Sequence, residues 1–373
     1  MHPKSALRND SESHGAFQHA HLAPRVVREE EPRPSPVTVI VPAFNEAESI
    51  ADTILALKAQ TLAPYDIIVV DDCSTDTTAQ IASRFGATVV RPPRNTGSKA
   101  GAQAFALALV ETPYVIAIDA DTTLETDAIE RLLTAFGDPN VAAACGTVVP
   151  RRVRSLWERG RYVEYLFAFT FYKRVQDHYE APLISSGCFS MYRTAALRAV
   201  GGWSDRTLAE DMDLTWVLYE WGLKVRFVPE AVCYPIEPHD LGFLRKQLRR
   251  WSHGFVQNVR LHWRGLLGVP FLRKAVAVAF WDAVVAAAVY LVALPLLSIA
   301  LGNPWLMLGY VIDLPAVAVP VVVGAVERRE LGRALASLPA FFLLRTVNAV
   351  YFLKAVWLEL IVRRSFRAYE KGH

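Results

Sequence analysis

Between Val37 and Val149, short apolar runs alternate with stretches whose apolar residues recur every three or four positions. The runs VTVIVP, IIVVDD, ATVV and YVIAID predict strands. The segments between them predict helices, the first ending near Gln60 and the second near Phe85. This alternation predicts a parallel α/β sheet. Asn45 followed by Glu48 predicts a capping box that opens the first helix ahead of Ile50, Ile54 and Leu57. Ligands of such sheets bind beyond the carboxyl ends of the strands, where this chain places Asn45, Asp71, Asp72, Asp119 and Asp121. No G-x-G-x-x-G follows a strand, which sets aside a dinucleotide-binding sheet.

The last hundred residues follow a different pattern. Ala275 to Leu301 carries one charge, Asp282; Trp305 to Val326 carries Asp313; and Ala334 to Val356 carries Arg345 and Lys354. Each stretch reaches the roughly 20 residues that a bilayer crossing needs. Pro339, Arg345, Asn348 and Lys354 also suit the third to lie at the interface or line a cavity. Arg264, Arg273 and Lys274 precede the first stretch, and Arg328, Arg329 and Arg333 follow the second. That bias predicts a cytoplasmic face for the amino-terminal part and a multi-pass location in the cell membrane. Arg363, Arg364 and Arg367 would then lie on the opposite side, against the same rule. Phe243 to Arg260 reads as a basic amphipathic segment at the membrane surface. The aromatic and basic run from Arg151 to Tyr179 suits either a surface helix or core packing. Residues Met1 to Pro36 mix Ser, His, Pro and balanced charge without an apolar period, as a disordered cytoplasmic tail does.

Composition narrows the choice of ligands. Forty Lys and Arg against 37 Asp and Glu leave a net charge of +3, too small and too evenly spread for a nucleic-acid partner. An acidic small molecule fits better. Cys73, Cys145, Cys188 and Cys233 form no C-x-x-C pair, so neither a zinc site nor a disulfide framework is expected.

The polar residues at the strand ends carry the chemistry. Asp119 and Asp121 stand two apart at the end of YVIAI, so an extended backbone would bring both carboxylates out on one face, able to hold Mg2+ or Mn2+. Lys99 opens a helix, where exposed N–H groups and the positive dipole end suit a diphosphate. Glu210 and Asp211 precede a helical stretch through Trp221, and one of them is a candidate general base. Gln247, Arg250 and Trp251 form QLRRW, pairing a guanidinium for a leaving dianion with an indole face for a sugar ring.

Taken in order, VPAFNE, VVDDCSTD, RNTGSKAG, IDADTTL, SGCFSMYR, AEDMDLTW and QLRRW resemble the processive family 2 glycosyltransferases, the cellulose, chitin, hyaluronan and poly-N-acetylglucosamine synthases. The resemblance covers roughly Val37 to Leu261. It implies a GT-A nucleotide-sugar-binding domain over 37–235, interfacial helices carrying QxxRW over 236–272 and a transmembrane region of about three helices over 273–373. It also implies inverting, metal-dependent transfer from a UDP-sugar to a growing polysaccharide. Carried over, Phe44, Glu46, Asp71, Asp72, Lys99, Asp119, Gln247, Arg250 and Trp251 would bind the nucleotide sugar, with Asp121 and Asp119 at the metal. Asp211, beside Glu210, would be the base, and Ser186, Gly187, Cys188 and Trp251 would line the acceptor side.

The chain departs from the family pattern in two ways. Ala209 stands where the family has Thr. No apolar run long enough for a membrane helix precedes the first domain, so a channel would need a homo-oligomer or a partner membrane subunit. WSDRTLAEDMDLTW favours UDP-N-acetylglucosamine as donor by its likeness to the poly-N-acetylglucosamine synthases. Two alternatives are transfer of a single sugar to a lipid carrier or glycolipid, and a catalytically silent scaffold of an exporter.

Overall fold

The computed structural model describes residues 35–366, so the expected tail up to Pro34 and Arg367 of the basic end lie outside the described residues. The first half alternates strand and helix: β1 (Val37–Ala43), α1 (Ile50–Lys58), β2 (Asp66–Asp71), α2 (Thr78–Arg84), β3 (Thr88–Val90), α3 (Lys99–Leu107) and β4 (Tyr114–Ile118). β1, β2 and β4 are buried along nearly their whole length, which is why they read as continuous apolar runs rather than as alternation. β5 (Thr123–Leu124), α4 (Ala128–Leu133) and β6 (Val141–Val148) follow. A long excursion through α5 (Leu156–Phe167), a π-helical turn and α6 (Lys173–His178) then leads to β7 (Phe189–Arg193), α7 (Thr194–Ala199), α8 (Glu210–Glu220) and β8 (Lys224–Tyr234).

The eight strands form one sheet in the order β3-β2-β1-β4-β7-β6-β8-β5. The four runs expected to form a parallel sheet, β1 to β4, are parallel; beyond them β7 runs antiparallel between β4 and β6, and β5 runs antiparallel to β8, which makes the sheet mixed. Apolar periodicity marks a strand without giving its direction. The reversal has a consequence for the site. Ile118 at the carboxyl end of β4 pairs with Phe189 at the amino end of β7, so residues just before β7 meet those just after β4.

The expected capping box is also corrected. α1 starts at Ile50 behind Ser49, with no side-chain cap. Asn45 instead has φ +54°, a left-handed conformation that Asn tolerates, and its side chain accepts from the Thr75 N–H at 2.8 Å. It ties the β1 loop to the β2 loop.

The carboxyl-terminal part is helical: α9 (Leu241–Gly268), α10 (Pro270–Phe280), α11 (Leu294–Ala300), α12 (Leu314–Glu327) and α13 (Leu331–Val356). π-helical turns join α10 to α11 and extend α13. Pro270–Ala300, Pro304–Glu327 and Leu331–Ile361 are long and apolar enough to cross a membrane. The third is the most enclosed, with 22% of its apolar window buried against 6% and 11% for the others, because α5 and α9 pack on it. Of the two readings of Arg151 to Tyr179, packing is the one realised: Tyr162, Val163 and Leu166 are buried with residues of α12 and α13. Gly160 permits the crossing, since a Cβ there would lie 2.9 Å from Leu344 Cβ and 3.0 Å from the Ala340 carbonyl oxygen.

Candidate active site

The carboxyl ends of β1, β2 and β4 face α5, α8 and α9 across a cavity of about 1370 Å3. Phe44 and Glu46 from the β1 loop, Asp72, Lys99, Asp119 and Asp121 line it on the sheet side. Ser186, Gly187 and Cys188 line it from the segment before β7, Glu210 and Asp211 from α8, and Gln247, Arg250 and Trp251 from α9. Asn45 lies outside its wall, and so does Asp71. It is fully buried below, accepts from the Ser74 N–H at 3.1 Å and lies 3.4 Å from Arg91. Its place is in shaping the β2 turn.

Asp72 organises the loop that leads to α3. Its two carboxylate oxygens accept from the Thr96 N–H at 2.7 Å and the Thr96 hydroxyl at 2.9 Å, and its carbonyl accepts from Asn95 at 2.7 Å. A Cβ on Gly101 would lie 2.8 Å from Thr96 Cβ, so the glycine allows this loop to fold back on the helix. Ser98 caps α3 by accepting from the Gly101 N–H at 3.0 Å, which leaves Lys99 as its first residue.

Lys99 is the hub of the site. Its Nζ forms an ion pair with Asp119, donates to the Gly187 carbonyl at 2.8 Å and lies 3.8 Å from Glu210 Oε1. Asp119 and Asp121 do not share an extended strand as expected: the backbone turns at once, with the Thr122 N–H bonded to the Asp119 carbonyl at 3.2 Å. Both still face the cavity. The Asp119 N–H reaches the Cys188 carbonyl at 3.3 Å, so the antiparallel β7 seats the SGC segment directly against the acidic pair.

Asp211, in the first turn of α8, is held from both sides. Its Oδ2 accepts from the Gly187 N–H at 2.8 Å and its Oδ1 from the Met212 N–H at 2.8 Å. A Cβ on Gly187 would sit 3.0 Å from Asp211 Oδ2 and 3.2 Å from Lys99 Nζ, which explains the glycine in SGC. Burial pushes the Glu210 carboxyl up from its ordinary range, against the downward pull of Lys99. At the departure Ala209, the small side chain meets α9 edge-on: a Cβ on Gly254 would fall 2.7 Å from Ala209 Cβ. Asn258 of α9 bonds the Ala209 carbonyl at 3.1 Å and the Thr207 hydroxyl at 3.2 Å, fixing the start of α8 from behind.

A second group of residues carried no sequence signal. Arg161 of α5 is fully buried, its guanidinium 4.5 Å from the Trp251 ring centroid. It donates to Gln247 Oε1 at 2.8 Å and forms ion pairs with Glu164 and, at 3.9 Å, Glu237. Glu237 accepts from the Tyr165 hydroxyl at 2.7 Å, and burial pushes its carboxyl up despite Arg161. Only the amphipathic run around Arg161 hinted at a buried face, and nothing in the spacing linked it to QLRRW. The cavity then continues between the membrane-length helices, where Arg345 donates to Asp313 at 2.6 Å and to the Tyr290 hydroxyl at 3.2 Å, with Asp282 at 3.9 Å.

The donor set suits a divalent cation in one specific way. Among the described residues no three of His, Cys, Asp or Glu gather as a closed metal cage. Asp119 and Asp121 offer two carboxylates at the cavity wall, which matches a cation that takes few protein ligands and completes its shell with water and phosphate oxygens.

Comparison with known proteins agrees with this geometry. The model of the family "Glycosyl transferase family 2" matches residues 38–201. The chain is 28% identical over 234 residues to the poly-beta-1,6-N-acetyl-D-glucosamine synthase of Staphylococcus epidermidis, covering 61% of this chain and 57% of that one. It is 30% identical over 223 residues to the enzyme of the same name from Staphylococcus aureus (strain COL), covering 58% and 54%. The chain thus spans little more than half the length of these relatives. Among solved structures, a mannosyltransferase from Pyrobaculum calidifontis in complex with GDP-Man and Mn2+ shares the fold, with a TM-score of 0.57 at 21% identity over 89% of this chain and 90% of that one. With its mixed sheet, its acidic rim and the matched span, this chain carries a family 2 glycosyltransferase domain of the GT-A fold.

Proposed function

We propose that the protein is a membrane-bound, inverting glycosyltransferase that moves a sugar from a UDP-sugar, with UDP-N-acetylglucosamine favoured, to a hydroxyl of a growing polysaccharide. The observation that carries this reading is the linked array of Asp119, Lys99, Gly187 and Asp211 on one cavity wall. The choice of donor follows the poly-N-acetylglucosamine synthase relatives. The cavity of about 1370 Å3 runs from the sheet rim to the membrane-length helices, so an acceptor can approach the donor end from that side.

In this reading Phe44, Glu46 and Asp72 receive the nucleoside, with Asp71 supporting the turn. Lys99 exchanges part of its pairing with Asp119 for the diphosphate, and Arg250 meets the same leaving group from α9. Asp119 and Asp121 would hold Mg2+ or Mn2+, which supplies further neutralisation of the leaving diphosphate when bound. Asp211 accepts the proton of the acceptor hydroxyl as that oxygen attacks the anomeric carbon. The Gly187 N–H fixes its carboxylate. Ser186, Gly187, Cys188 and Trp251 border the acceptor. No covalent intermediate is needed, since one displacement inverts the centre.

We also propose the division into a transferase domain over 37–235, a connecting helical segment over 236–272 and a membrane region beyond it, with the transferase on the cytoplasmic side. The test is a panel of radiolabelled UDP-sugars offered to purified membranes, with the product sized. UDP-N-acetylglucosamine should be consumed and yield a polymer, and chelation should stop it. A product bearing one sugar would turn the reading to a nonprocessive transferase, and nucleotide-sugar binding without consumption would turn it to a scaffold.

A further inference from the structure

Behind QLRRW, every polar contact of Arg161 is directed at a residue of the cavity wall or at a carboxylate that holds it there. One N–H group reaches Gln247 Oε1 at 2.8 Å, another reaches Glu164, and the guanidinium Cζ lies over the Trp251 ring, 4.5 Å from its centroid. Its Nε makes no hydrogen bond, with the nearest carboxylate, Glu237, at 3.9 Å. Glu237 in turn reaches the other end of the Gln247 amide at 3.4 Å. The amide is therefore gripped at both ends, and the indole one turn further along α9 is held by the same guanidinium. A fully buried arginine is costly unless its partners are fixed, so this cluster holds one geometry rather than several. No other residue type offers the same combination, because only a planar fork can donate sideways to an amide while stacking on a ring.

We infer that Arg161 is a positioning residue for the acceptor side of the site, setting the Trp251 ring and the Gln247 amide in the orientation that receives the sugar hydroxyl. The inference rests on the transferase reading above and adds to it a residue from α5, a helix that carries none of the motifs. Through Arg161 the acceptor platform is referenced to the helix that packs on α13, so the membrane-length helices and the sugar site share one anchor.

Arg161→Lys tests it, because the ammonium keeps the charge beside Glu164 and Glu237 but loses the fork and the stack. The assay uses the nucleotide sugar that the wild type consumes and a short N-acetylglucosamine oligosaccharide as acceptor. The expected result is an acceptor KM raised about tenfold or more, as expected for loss of one charged hydrogen bond and one stack, with the donor KM raised by clearly less and binding of UDP alone unchanged. In combination with Trp251→Phe the two effects should be less than additive. If Arg161→Lys fails to accumulate in membranes, Arg161→Met with Glu237→Gln removes the buried charge together with a counter-charge and should give the same split. An unchanged acceptor KM, equal losses toward donor and acceptor, or failure of both variants to accumulate would each overturn the inference, the last by making Arg161 a folding residue only. A wild type that consumes no nucleotide sugar would instead overturn the transferase reading, which keeps the two failures apart.

Discussion

At the scale of single residues, the site is built by close backbone approach as much as by charge. Gly187 sits where a methyl group would press on both Asp211 and Lys99, so Gly187→Ala displaces the proposed base and the proposed diphosphate ligand together. The neighbours must give by a few tenths of an ångström, so we expect turnover to fall about tenfold, less than the roughly hundredfold cost of a full 1 Å misplacement, while the melting temperature moves by only a few degrees. Steady-state kinetics beside a thermal melt check this. Thr96→Val removes the hydroxyl that bonds Asp72 Oδ2 while leaving the Thr96 N–H on Oδ1. It should weaken nucleotide binding about tenfold, by loss of one charge-assisted bond, and calorimetric titration with UDP reads it directly. Much of this layer was legible in the sequence, because Asp72, Lys99, Asp119, Asp121, Asp211 and QLRRW are short local patterns. The share carried by Arg161 and Glu237 was not. Arg161 and Gln247 lie 86 positions apart, and it is the packing of both α5 and α9 on α13 that brings them into contact.

At the scale of elements, two joints hold the site together. The first is β7, whose antiparallel insertion beside β4 puts the SGC segment against Asp119. Apolar runs foretold β4 but no strand at β7, whose five residues alternate too briefly to stand out, and the residues expected on one extended face, Asp119 and Asp121, are presented by a turn instead. The second joint links α8 to α9. His262 of α9 bonds Asp213 at 2.6 Å through Nε2 and Glu220 at 2.9 Å through Nδ1, Arg206 also pairs with Asp213 at 2.8 Å, and the Trp216 ring packs edge-on. Burial alone would lower the imidazole, but the two carboxylates prevail and raise it above its ordinary 6.5. A raised pKa means that the folded state holds the proton more tightly than the unfolded chain. The stabilisation is therefore complete below about pH 6.5 and is lost as pH rises through the higher folded value. We expect thermal stability to fall across that alkaline window in the wild type, and the fall to be shallower in His262→Gln, with melts from pH 6 to 9 as the measurement.

At the scale of the whole molecule, the transferase domain and the membrane-length helices share a core. Tyr162, Val163 and Leu166 of α5 are buried with Val317, Val321 and Phe341 of α12 and α13. A chain ended at Gly268 would expose that face, at about 1.5–3 kcal/mol for each large apolar side chain. We expect such a chain to aggregate or lose helix without detergent, which size-exclusion chromatography and circular dichroism would show. The first two long apolar helices were plain from composition, since each run has one charge, while Pro339, Arg345, Asn348 and Lys354 left the third open between spanning and lining a cavity. That their charges pair with one another, Arg345 with Asp313 and beside Asp282, required the fold.

The central claim is that the acidic rim and the lone proton acceptor act together on one nucleotide sugar. It is tested most directly by counting UDP released against sugar incorporated from radiolabelled UDP-N-acetylglucosamine, using the purified full chain in parallel with Asp211→Asn and Lys58→Ala. One UDP per sugar is expected from the wild type and from Lys58→Ala, and a loss of several orders of magnitude from Asp211→Asn. Near-normal transfer by Asp211→Asn, or no UDP release by the wild type with any nucleotide sugar, would contradict the account.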